Sequence, residues 1–150
     1  MNQEIWNKTL GPNEELKYEF TIGERYQKLG VIIGIILGLP VFSFSPSMGI
    51  IMILSFFFYF GWYLKKANVY AFTNKRVLVH RGWLNTQLIS IDYDKITDIS
   101  VAEPFLNKII TKTGNLFINT AGTSHHEVIL EHIEEPYEKK KKLDEIREIR

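Results

Sequence analysis

The sequence predicts two transmembrane helices folded into a hairpin, followed by a small mainly-β barrel that ends in a C-terminal α-helix. Three observations point there. No charged residue or histidine occurs between Lys28 and Lys65. Short alternating apolar runs separated by turn residues begin at Asn68. After Pro136 the apolar spacing changes from that of strands to that of a helix.

At 150 residues there is room for one compact domain besides the apolar stretch. A net charge of +1 and a pI near 7.9 imply no basic face, which argues against nucleic acid as a partner. The chain has no cysteine, so neither a disulfide framework nor a thiolate zinc site is expected.

The N-terminal segment 1–28 is polar, and only Leu16–Ile22 alternates. That piece either adds a strand or lies along a membrane surface. From Leu29 to Leu64 a straight helix would run about 54 Å, against a hydrocarbon core of about 30 Å, so the chain must reverse once. Turn chemistry inside the run is confined to Pro40, Ser43, Ser45, Pro46, Ser47 and Gly49. A reversal near Ser43–Ser47 leaves spans at 29–44 and 48–64, with Tyr59, Trp62 and Tyr63 as an interfacial aromatic belt. Gly30, Gly34 and Gly38 fall on one helix face, a ridge for close approach either within the hairpin or between two copies. Phe56, Phe57, Phe58 and Phe60 supply bulk to lie across it. A soluble core hairpin would need a polar face that this run lacks. A signal peptide would have a shorter apolar region and no long charged segment before it. Arg25, Lys28, Lys65, Lys66, Lys75 and Arg76 flank the run while its central turn is uncharged, which predicts a multi-pass cell-membrane protein with both termini cytoplasmic.

Segment 67–150 forms the domain. Strands are expected at 69–73, 76–81, 87–93, 96–103, 115–120 and 127–133, with Asn74-Lys75 as a tight turn and Pro104 in a connection. Pro136 suits the first position of a helix, with Glu134, Glu135 and Glu138 at its positive end and Leu143, Ile146 and Ile149 at helical spacing.

The run Tyr70–Trp83 (YAFTNKRVLVHRGW) resembles the opening signature of bacterial pleckstrin-homology-like membrane proteins, the YdbS-like group. Gly114–Gly122 (GNLFINTAG) resembles that family's second signature, and Asp94–Ile99 falls where the family carries its D-x-I segment. Two positions depart: Asp92 stands where the family commonly has proline, and Asn107-Lys108 where a glycine-arginine pair is frequent. The resemblance implies a PH-like fold, a seven-stranded, partly open barrel capped by a C-terminal helix. It implies no catalytic residue and no phosphoinositide activity. Thr73, Asn74, Arg76, Gly82, Gly114, Thr120, Ala121 and Gly122 carry the signatures and are expected to be structural. Arg76 is expected to pair with Asp92, Asp94 or Asp98.

His125, His126 and Glu127, with Glu131 and His132 nearby, suggest a metal site and with it a metal-dependent hydrolase. Yet His126 and His132 would sit about 20 Å apart along a strand, too far to share an ion. Ser124 beside His125 is a sequence neighbour and not a dyad, and no phosphate loop or H-E-x-x-H motif is present. No enzyme, cofactor or metal is therefore expected. Lys139–Lys142 reads as a solvated helix face, with Glu135–Lys139 and Glu138–Lys142 as i,i+4 pairs. The functional expectation is a non-catalytic interaction module at the cytoplasmic membrane surface that binds a second copy or a membrane protein partner. The alternative is recognition of anionic lipid headgroups through Lys65, Lys66, Lys75 and Arg76.

Overall fold

The computed structural model describes residues 3–120 and 128–149. Among these residues, seven strands form two antiparallel sheets. One contains β1 (Leu16–Thr21), β2 (Asn68–Thr73), β3 (Arg76–Arg81) and β4 (Gln87–Asp92) in that order. The other contains β5 (Ile96–Ala102), β6 (Thr113–Thr120) and β7 (Val128–Glu134). A bridge between Ile22 and Ile133 joins the β1 and β7 sides. Arg81 donates to the Ile129 carbonyl across the sheets. Among the described residues no strand pairs with the outer edges of β4 and β5, which leaves the barrel partly open.

Alternation in β2 and β3 explains how both faces of the sheet are buried. Tyr70, Phe72, Val77 and Val79 point into the barrel with Leu116, Ile118, Leu130 and Ile133. Val69, Ala71 and Leu78 point outward, where Trp6 of the short helix α1 (Gln3–Asn7) covers them. The segment from α1 through β1 is therefore part of the domain. Of the two options for Leu16–Ile22, the structure takes the strand, with Phe20 opposite Tyr70 and Thr21 opposite Val69.

Between β1 and β2 the chain forms the hairpin. Helix α2 (Glu24–Phe44) continues through Pro40, Ser45 is extended, and α3 (Pro46–Phe56) starts at once. A π-helical segment, Phe57–Tyr63, carries α3 into α4 (Leu64–Ala67). Both arms exceed the expected spans because they run on into the charged flanks, to Glu24 on one side and Ala67 on the other. The two arms, of 21 and 22 residues, are each long and apolar enough to cross a bilayer.

The glycine ridge lies inside the hairpin. A Cβ at Gly30 would fall 2.1 Å from the Phe60 ring, one at Gly34 2.3 Å from Phe56, and one at Gly38 2.3 Å from Ile53. Phe57 and Phe58, expected to lie across this ridge, face outward instead, since a helical turn cannot direct four nearly consecutive rings to one side.

The last helix, α5 (Pro136–Glu148), begins at the expected proline and lays Leu143 into the barrel, with Ile146 partly buried. Ile149 lies past its end and is exposed.

Candidate functional site

Turn residues shape the end of the barrel far from the hairpin. Thr73 Oγ1 accepts from the amides of Lys75 and Arg76 and so closes the β2–β3 turn. The Asn74 amide donates to the Glu15 carbonyl, and its side chain accepts from the Glu15 amide and donates to the Asn13 carbonyl. Arg76 grips Glu14 with two parallel bonds, Nε to Oε1 at 2.8 Å and Nη2 to Oε2 at 2.7 Å. Glu14 also accepts from the Gly11 amide and lies 2.8 Å from Thr73 Oγ1. Its side chain is only 2% exposed. The Arg76 hydrogen bond comes first among the causes that hold its carboxyl at about 2, against the opposing effect of burial.

The sequence expectation for Arg76 is thus corrected. Asp92 stands opposite Arg76 in register and acts on it through its charge, while the bidentate ion pair is with Glu14. The partner is Glu14, because the turn at 11–14 folds back over the β2–β3 turn and presents that carboxylate in bidentate geometry. Thr73, Asn74 and Arg76 form a latch between the N-terminal segment and the barrel.

The same geometry divides the four basic residues expected at a lipid surface. Lys65 and Lys66 lie in α4, at the foot of the hairpin, with Lys66 Nζ 4.6 Å over the Trp62 ring. Lys75 and Arg76 lie beyond β2, which runs about 20 Å away from that foot. Lys75 Nζ donates to the Pro12 carbonyl and Arg76 is neutralised, so neither is held near the anchor as expected.

Gly82 closes β3 at the hairpin end, with φ +90 and its amide bonded to the Ala67 carbonyl at 2.7 Å. Gly114 sits tightly between β5 and α5; a Cβ there would lie 2.7 Å from the Ala102 carbonyl and 2.9 Å from Pro136. Thr120 ends β6 opposite Ile96. Ala121, Gly122, Ser124, His125, His126 and Glu127 lie outside the described residues. His132 takes up the irregular register opposite Asn115, with φ +50 and its amide donating to Asn115 Oδ1. Its ring stacks on Tyr26 of α2 at 4.0 Å, and burial pushes its pKa down.

At the foot of the hairpin, a groove of about 530 Å³ is lined by Lys28, Lys65, Val31 and Phe57 among others. A second groove of about 630 Å³ runs between β1 and α5, lined by Lys17, Tyr18, Asn74 and Lys142 among others. Here the lysine run departs from expectation. Lys139 donates to the Tyr18 hydroxyl at 2.6 Å, and Lys142 Nζ stands 4.0 Å over the same ring, so neither side chain turns to Glu135 or Glu138. The nearby aromatic face of β1 draws both cations. Lys140 does make an i,i+4 pair, with Asp144. Burial acts to raise the Tyr18 pKa, but the Lys139 bond and the two positive charges together bring it below its ordinary value.

Sequence reasoning missed three groups. Glu14 has no local signal, because its partner is 62 positions away. Trp6 is an isolated aromatic in a polar segment. Phe105, Leu106, Ile109 and Ile110 did carry a signal: their spacing places four large apolar residues on one face of a helical turn.

A seven-stranded, partly open barrel with a C-terminal helix across it is the architecture of pleckstrin-homology-like domains. Residues 18–149 match the family described as Bacterial PH domain, and the chain belongs to that family. Among solved structures, a DUF1696 family protein with a pleckstrin-homology domain from Shewanella loihica PV-4 is similar, at 13% identity and a TM-score of 0.53. That likeness covers 96% of this chain and 91% of the other. A pleckstrin homology domain from Shewanella amazonensis SB2B aligns over 97% of this chain and 84% of its own, at 14% identity and the same TM-score of 0.53. At such identities the likeness is one of fold. No curated protein matches the chain. PH-like families are generally non-enzymatic, and the fold points to an interaction module.

Proposed function

We propose that this protein is a membrane-anchored, non-catalytic PH-like module, held at the cytoplasmic face of the cell membrane by the α2–α3 hairpin, where it assembles with itself or with a membrane protein partner. The observation that carries this reading is the exposure of the hairpin. Only 22% and 11% of the residues in the most apolar stretch of each arm are buried, whereas a soluble core helix would be mostly covered. The ridge of Gly30, Gly34 and Gly38 packs within the hairpin, so the outward faces remain for lipid. Lysines and arginines at both feet, and none at the Ser45 turn, favour the cytoplasmic orientation. The free edge of β4, with Leu88 exposed on it, is suited to strand addition by a partner.

The test is photo-crosslinking from Leu88 in native membranes after an alkaline wash. Retention in the membrane with a recurring adduct, either of self or of one protein, is the expected result. Release by the wash removes the anchor; retention without any recurring adduct removes the assembly role.

Headgroup recognition is the second reading, favoured by the groove that brings Lys28 and Lys65 together beside Val31 and Phe57. Its measurement is retention of phosphatidylglycerol over phosphatidylcholine by the purified full chain, with Lys28→Gln/Lys65→Gln as comparison. Equal retention by both proteins overturns it.

A further inference from the structure

Two connections of the barrel are apolar and exposed at the same end as the hairpin. The β3–β4 loop follows Arg81, which pairs with Asn68, the first residue after α4. Its Trp83 meets Trp62 of the second arm edge-on, with ring centroids 4.9 Å apart. Leu84 at its tip is 88% exposed. The β5–β6 connection leaves Ala102, opposite Asn115, and returns at Thr113, opposite Glu134. Gly23, the residue before α2, packs on that spot: a Cβ there would meet Thr113 at 2.6 Å and Glu134 at 3.3 Å. The π-helical turn Asn107–Thr111 accordingly lies beside α2. Phe105, Leu106, Ile109 and Ile110 project from this connection with exposures between 53% and 74%.

Strand register thus brings both feet of the hairpin and both apolar connections to one end of the barrel. The geometry points to a lipid surface as their occupant: the β3–β4 loop and the Phe105–Ile110 turn insert into the membrane interface and seat the barrel on the bilayer. This inference rests on the hairpin being a membrane anchor. The patch is continuous with the outward flanks of the hairpin through the Trp62–Trp83 contact and the packing of the π-helical turn on α2. A solvent that covers the foot of the hairpin covers these side chains too. Lys108 and Lys112 stand in the same connection, where long side chains can reach headgroups while their neighbours enter the acyl boundary. A water-facing loop gains nothing from four large apolar residues on one turn, and a patch of this kind marks a contact surface.

The absence of cysteine makes every introduced cysteine unique. The full chain is reconstituted in nanodiscs of phosphatidylcholine and phosphatidylglycerol and labelled with an environment-sensitive fluorophore at Leu84→Cys or Ile109→Cys. Ile36→Cys, on the outer face of α2, reports the anchor. Lys95→Cys, in the turn at the far end of the barrel, is the water control. The expected result is a blue shift at positions 36, 84 and 109, with loss of most emission when the acyl chains are brominated, and no change at 95. Quenching at 36 without quenching at 84 and 109 overturns the inference and leaves the anchor standing. No quenching at 36 overturns both. A blue shift at 84 and 109 without quenching by brominated lipid means a second copy or another protein covers the patch, and it also overturns the inference.

Discussion

Replacing Glu14 by glutamine keeps the size of the side chain and removes only the charge that Arg76 grips. Glu14 is displaced from 4.5 to about 2, and each pKa unit corresponds to about 1.4 kcal/mol, so the folded barrel favours the ionised form by about 3 kcal/mol. Arg76 is partly exposed and regains some hydration, which lowers the expected loss to about 2 kcal/mol. The loss should be local. The latch ties the 9–15 segment to the 73–76 turn, so hydrogen exchange at Leu10, Glu14 and Asn74 should accelerate about 30-fold while β5–β7 amides stay unchanged. Acid adds a second signature. The folded pKa lies below the unfolded one, so the stabilisation is present above about pH 4.5 and fades as the pH falls toward 2. In the E14Q protein that stretch of the pH profile should be flat. The assay is exchange mass spectrometry on the full chain in micelles, with Arg76→Gln completing a double-mutant cycle. Exchange that changes less than about twofold, or a coupling energy near zero, would refute the latch.

The hairpin can be tested with two alanines. Gly34→Ala places a methyl 2.3 Å from Phe56 Cβ and should lower resistance to denaturing detergent by about 1–3 kcal/mol, whereas Gly61→Ala, whose nearest neighbour is Val31 at 4.0 Å, should be neutral. Leu143→Ala removes the side chain that α5 inserts into the barrel and should lower barrel stability by about 2–5 kcal/mol in chemical denaturation. His80 and His132 are both pushed below their ordinary pKa by burial, and the Nδ1 atom of each is buried without a hydrogen-bond partner among the described residues. Their contribution is therefore complete above about pH 6.5 and lost as the pH falls below it, so His132→Gln should flatten part of the thermal-stability profile in that window.

How much could be read in advance depended on the range of the interaction. The hairpin and the strands were legible because an uncharged run and a two-residue period are properties of contiguous residues. Pro136 announced α5 for the same reason. The turn at Ser45 falls within the expected 43–47, and Pro40 lies inside α2, as the expected span 29–44 requires. What escaped were contacts across long loops. Glu14 meets Arg76 only after the whole hairpin has been made, and nothing near either residue marks the other. Lys139 and Lys142 satisfy a local i,i+4 rule on paper, yet Tyr18 of β1 offers them an aromatic face. The apolar turn at Phe105–Ile110 was overlooked because Pro104 made the region read as a connection.

The barrel is interrupted in the chain: β1 is made before the hairpin and its neighbour β2 after it, with Phe20 opposite Tyr70. With the hairpin as the anchor, this order turns strand pairing into a check on membrane insertion. A chain in which only one arm had crossed would hold β1 and β2 on opposite sides of the bilayer, and the sheet could not close. Burying Tyr70 and Phe72 under β1 needs both strands on the same side. A half-inserted hairpin would thus leave an open, protease-sensitive domain.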